Sequence, residues 1–200
     1  MIKNIEHGAY NLLGRVFYLT EMDQAAELAY KKACLRFIDE YIKFNNKYVS
    51  LSTNGIFSVE TASGIEPFIA LGEVIHWTVI MYDKLDKAAL SPSERALMSG
   101  IKHIDNIVKH EKAKFDVSDF IKTVPKNSVK GTNRGDKMSI KWQVTLCFFF
   151  QDISMIPVEP DWRIQRKNYN TNIKDKEVND VISQIDKILK KYVFDINNAN

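Results

Sequence analysis

Cysteine is scarce in this sequence. Two of its 200 residues are cysteines, Cys34 and Cys147, and no CxxC pair occurs. That excludes a framework of several disulfides and a cysteine-based zinc ribbon, and it fits a reducing, intracellular setting. Long apolar runs are also missing. None approaches the ~18 residues of a membrane span, and the opening MIKNIEHGAY is too polar for a signal peptide. The expectation is a cytoplasmic protein with no membrane contact. The 8 glycines form no phosphate-cradling loop and no nucleophile elbow. There is no internal repeat and no low-complexity tract. Nothing in the sequence implies a cofactor or a metal centre.

Charge of one sign is not in excess either. Against 28 Lys and Arg stand 25 Asp and Glu, a net charge of +3. That sum is too small to argue for nucleic acid, but its distribution says more. From Lys122 to Lys176 there are eleven basic against five acidic residues. A basic segment on an otherwise slightly acidic body can mark a surface that faces a polyanion, or a solvated lysine-rich loop.

What is present is an ordinary globular composition, 45% apolar and 26% charged. The length suits one domain, residues 1–200, with a proper core. Helical periodicity predicts core helices over about 20–47, 62–89, 91–114 and 175–193. In the first, Leu28, Leu35 and Ile42 recur at seven-residue spacing, widened by Ala25, Ala29, Phe37, Ile38 and Tyr41. Residues 48–61 read as a loop around Asn54-Gly55, with a small hairpin from 48–51 and 56–59 as an option. The second helix is apolar over much of its circumference, which places it centrally.

Between about 115 and 173 the pattern changes to a β/loop insert. Residues 122–137 read as a polar, basic loop, and 160–173 as another. Between them Met138, Ile140, Trp142, Val144, Leu146, Phe148 and Phe150 alternate with polar neighbours, a strand signal. Its partner is either 152–159 or the region around Phe115–Val124. The fold class expected is mainly α, a helical bundle with a small antiparallel β element inserted before the C-terminal helix.

The third helix carries the clearest local signals. Ser91, Pro92 and Glu94 supply an N-cap, a proline at the first helical position and a capping-box partner. Leu97, Ile101, Ile104 and Val108 form its apolar stripe. His103, Asn106 and His110 fall within about 60° of one another, on a strip beside that stripe. Asp105, Lys102, Lys109 and Lys112 lie further round, on the expected wet face. The plain reading of the His/Asn/His strip is a polar helix edge that hydrogen-bonds to a neighbour or to a symmetry mate.

At Asp105–His110, DNIVKH resembles the signature of HEPN domains, helical bundles of toxins, antiphage proteins and RNA-processing factors. That signature is an arginine, a polar residue, three further residues and a histidine. Here Asn106 stands at the polar position and His110 at the histidine, while the arginine's place holds Asp105. The resemblance spans residues 20–115 as topology and six residues as motif. It implies a homodimer acting on RNA, in defence or toxin function, with His110, Asn106 and His103 as candidate catalytic residues. In active members the histidine and arginine cleave RNA without metal. A histidine titrating near neutrality can move the proton, and a cation can stabilise the charge developing on phosphate. The alternative that the resemblance allows is a non-catalytic module binding RNA or a partner protein. Lys102, Lys109, Lys141, Arg163, Arg166 and Lys167 are the candidate RNA-binding cations, with Trp142, Trp162 and Tyr169 as stacking faces or, more plainly, as core residues.

Two further patterns carry less. Glu73 and His76 form a single E-x-x-H pair on the second helix, where a di-iron bundle needs two and further glutamates; Glu73 is also placed to orient a histidine across the helical hairpin. Arg134-Gly135-Asp136 reads as a turn.

Overall fold

Ser91 does start a helix, in the way its neighbours dictate. Its backbone N–H donates to Glu94 Oε2 at 2.7 Å, and Glu94 N–H donates to Ser91 Oγ at 3.3 Å. With Pro92 at the first position, this closes the full capping box and begins α3, Pro92–His110. Glu94 also accepts from Tyr192 Oη at 3.0 Å and from Lys191 at 3.3 Å, so the start of α3 is tied to the last described helical turn.

The fold comes from a computed structural model. It describes residues 24–46, 65–111, 114–134, 137–153, 156 and 160–194, with the backbone alone for the described part of 127–144 and at 161, 193 and 194. The optional hairpin of 48–51 and 56–59 lies outside the described residues. Before α3 come α1 (24–46) and α2, Glu66–Lys84. After it a short 3-10 turn, Val117–Phe120, leads into β1, Ile121–Arg134, and β2, Lys137–Phe150. A second 3-10 turn, Pro160–Trp162, opens α4, Arg163–Asn172. The last helix is α5, Val178–Leu189, which continues into one π turn, Lys190–Phe194. The described residues are therefore mainly helical, with one two-stranded antiparallel sheet among them, ahead of the last two described helices.

Two predicted loops are regular structure. Residues 122–137 mostly form β1, paired with β2 in a register that sets Ile121 opposite Phe150 and Arg134 opposite Lys137. Residues 160–173 mostly form α4. The expected strand is correct, and its partner extends well beyond Val124. Its apolar alternation has the expected consequence where side chains are described: Leu146, Phe148 and Phe150 are buried. The Phe148 ring lies 5.1 Å from Tyr41, 5.4 Å from Phe44 and 5.1 Å from Phe68, so the base of the sheet covers α1 and α2.

The outer edge of β2 is not left open. Asn45 on α1 uses both ends of its amide on Leu146, accepting from the backbone N–H at 2.7 Å and donating to the carbonyl at 3.2 Å. Further along, Phe150 N–H donates to the Lys176 carbonyl and Asp175 N–H donates to that of Phe150. A side-chain amide and a loop thus supply the hydrogen bonds that a third strand would. Asp175 makes the tight turn there with φ of 62°, a left-handed conformation that aspartate tolerates better than most residues.

One apolar pattern differs from expectation. The core side of α1 is Ala26, Tyr30, Ala33 and Phe37, whereas Leu28, Leu35 and Ile42 face outward. Neither cysteine is in a disulfide; Cys34 is half-buried and Cys147 buried. Among the described residues, no helix is long and apolar enough to cross a membrane.

Candidate functional site

The second half of α3 lies between α2 and α4, and two rows of polar contacts run along its sides. On the α4 side the pairs descend as α3 ascends. Asn168 Nδ2 donates to Ser99 Oγ at 3.1 Å, and the His103 ring lies 6.0 Å from that of Tyr169. Asn106 Nδ2 donates to Gln165 Oε1 at 2.9 Å, and the His110 ring lies 5.3 Å from Trp162. The order makes α3 and α4 antiparallel. The strip of His103, Asn106 and His110 is thus the seam where α4 docks.

Gly100 explains how close the helices come. A Cβ there would sit 2.7 Å from Ile173 Cδ1 and about 3 Å from the backbone of Tyr169, at 3.0 and 3.1 Å. Only glycine fits that approach.

The seam separates the three candidate catalytic residues by environment. His103 is not beside the core but inside it, fully buried, and both ring nitrogens lack a hydrogen-bond partner among the described residues. Burial, helped by the nearby Arg166 charge, holds its pKa down to about 4, so it is neutral at pH 7. Asn106 is half-buried, with its amide engaged by Gln165. His110 is exposed at the helix end. The structure thus puts the three on one face, graded from the sealed His103 through the half-buried Asn106 to the exposed His110.

Asp105 corrects a second expectation. It is 5% exposed, where the helical projection had put it on the wet face. Its Oδ1 lies 3.2 Å from His76 Nδ1 on α2, and its Oδ2 lies 2.5 Å from Lys109 Nζ. The Lys109 contact is an ion pair lying off the hydrogen-bonding direction. Among the described contacts Glu73 orients no histidine across the hairpin; it pairs with Arg36 of α1 at 2.5 Å. Sequence reasoning named Glu73 and His76 and missed the Asp105 link. The signal was present in a short α2–α3 connection, which forces antiparallel packing and puts the middle of one helix beside the middle of the other.

A protonated Nδ1 would donate to Asp105 and leave Nε2 of the partly exposed His76 as a base. Lys109 is largely exposed and Lys102 holds Asp83 at 2.6 Å. On α4, Arg163 and Lys167 are exposed and Arg166 is half-buried, all three within one arc beyond the seam. Lys141 lies in β2, and its side chain is outside the described residues, as is that of Trp142. Among the described residues no three of His, Cys, Asp and Glu gather to hold a metal ion.

The arrangement offers an exposed imidazole beside an indole, cations on the adjoining helix, and a second imidazole held by a buried carboxylate. The chain matches no protein-family model, no curated protein and no solved structure.

Proposed function

We propose that this protein is a HEPN-like module that binds single-stranded RNA along the C-terminal half of α3 and the adjoining face of α4, without cutting it. The observation that carries the reading is the exposed His110 set against Trp162, with Arg163 and Lys167 exposed further round α4. An indole edge, with cations further round the same helix, suits stacked bases and a phosphate backbone that wraps α4. Absence of cleavage is favoured by the rest of the motif. The carboxylate in the arginine's place is turned inward, His103 is sealed in the core, and the Asn106 amide is already engaged.

Binding of a labelled single-stranded RNA, followed by fluorescence anisotropy, tests this. His110→Ala and Arg163→Ala/Lys167→Ala should each weaken binding several-fold. The double cation variant should also flatten the salt dependence by about one to two in log–log slope. Equal affinity of all variants and wild type would reject the surface.

A second reading, a metal-independent endoribonuclease, is favoured by one observation, the Asp105-held His76. In that case wild type cuts RNA in EDTA, and His76→Ala and His110→Ala each lose the activity.

A further inference from the structure

The outer face of α1 is apolar without a described partner. Leu28 is 54% exposed, Leu35 68%, Ile38 52% and Ile42 51%. These are not scattered. Leu28, Leu35 and Ile42 stand seven residues apart with Ile38 beside them, so they form one seam about 21 Å long at 1.5 Å per residue. The helix keeps its own core face on the opposite side, through Ala26, Tyr30, Ala33 and Phe37. A helix with two apolar faces has one more than the described part of its bundle uses.

The charges beside the seam indicate what covers it. Lys31 lies within the seam, between Leu28 and Leu35. Two copies packed parallel would stack Lys31 on Lys31. Packed antiparallel about Leu35, the two Lys31 side chains move about 12 Å apart along the axis. In that arrangement Leu28 meets the level of Ile42, and Leu35 meets its own copy. Lys32 then comes within one residue, about 1.5 Å along the axis, of the level of Asp39 of the other copy, on the same flank, twice by symmetry. Lys32 is exposed, and Asp39 is 63% exposed in its pair with Lys43.

We infer that α1 is the contact between two copies of this chain, packed antiparallel about a two-fold axis at Leu35. This contact is separate from the α3–α4 surface. It is also separate from the Asp105–His110 motif, which lies on α3.

Light scattering on the full chain should give twice the chain mass for wild type and one chain mass for Leu35→Asp. The substitution lies on an exposed face of the monomer, where Leu35 is 68% exposed, and an unchanged circular dichroism spectrum would show that it still folds. Direction is read by cross-linking in a Cys34→Ala background. Leu35→Cys should form a disulfide with its own copy. Leu28→Cys and Ile42→Cys should each fail alone, because like residues would be about 21 Å apart, but should cross-link when mixed, since a disulfide needs Cα atoms within about 7 Å. Lys32→Glu and Asp39→Lys should each weaken the dimer, and the two together should restore it. A monomer at high micromolar concentration overturns the inference, as does a dimer unaffected by Leu35→Asp. Self-cross-linking of Leu28→Cys overturns the antiparallel direction.

Discussion

Asp105 Oδ1 lies 3.2 Å from His76 Nδ1, across the hairpin of α2 and α3, and the carboxylate is 5% exposed. Its two partners are not buried, so the three residues differ in what their loss leaves behind. Removing His76 and Lys109 together strands a buried charge, whereas Asp105→Asn removes the charge and keeps the shape. We expect His76→Ala/Lys109→Ala to cost roughly 3 kcal/mol and Asp105→Asn about 1 kcal/mol. Urea midpoints of the three proteins check the order. An Asp105→Asn loss equal to that of the double variant would mean that the carboxylate is not held by these partners.

His103 makes stability depend on pH. The unfolded imidazole titrates near 6.5 and the folded one near 4, since burial disfavours its charge. Below 6.5 the unfolded chain takes up the proton first. The folded state is therefore at full advantage above 6.5, loses it as pH falls to about 4, and loses no more below that. The gap is worth roughly 3 kcal/mol. His103→Leu should remove this slope. It should also raise stability near neutral pH by about 1 kcal/mol, because an apolar side chain leaves no unpaired ring nitrogen in the core. Urea unfolding of both proteins at several pH values measures the difference. Parallel curves for the two would disprove the assignment.

The sequence was most legible where local chemistry suffices. The Ser91–Glu94 capping box and the alternation of β2 needed no knowledge of the rest of the chain. The elements that were misread depend on distant partners. β1 contains Pro125, Gly131 and several lysines, a poor strand composition, and it forms because β2 supplies its hydrogen bonds. In α4 the apolar residues Ile164 and Tyr169 give no stripe, since Ile164 is 73% exposed. Its spacing of Trp162, Gln165 and Tyr169 fits the α3 seam, a periodicity carried by an indole, an amide and a phenol. Asp105 was misplaced for a related reason: a helical projection does not show that α2 brings a histidine to cover a carboxylate. Likewise, α1 presents two apolar faces, and periodicity alone could not say which one the bundle uses.

Gly100 tests how tightly that seam is packed. In an isolated helix, Gly→Ala gains about 1 kcal/mol. Here the new Cβ would meet the Tyr169 backbone, which cannot move without α4. We expect Gly100→Ala to be destabilising by roughly 2 kcal/mol despite the better propensity, and Gly100→Val to lose α4 docking altogether. Amide exchange resolved by residue would show the loss first between Arg163 and Asn172. A stabilised Gly100→Ala would mean that the two helices are not in contact there.

Asn45 closes the edge of β2 by matching both the N–H and the carbonyl of Leu146. Tyr41 Oη also donates to that carbonyl at 2.8 Å, so the N–H depends on Asn45 more than the carbonyl does. Asn45→Ala should therefore cost about 2 kcal/mol, chiefly through the orphaned N–H. Asn45→Asp is the sharper variant. Its carboxylate still accepts from Leu146 N–H, but its second oxygen faces the carbonyl and repels it. Protonation turns that oxygen into a donor and restores the two-point contact. The folded state thus favours the protonated acid, its pKa rises above the unfolded 3.9 or so, and Asn45→Asp gains stability relative to wild type as pH falls. Urea midpoints at about pH 7 and about pH 4 should show the gap between Asn45→Asp and wild type narrowing, while the gap for Asn45→Ala stays constant. A gap for Asn45→Asp that does not narrow would mean that the amide's donor end does not hold the Leu146 carbonyl.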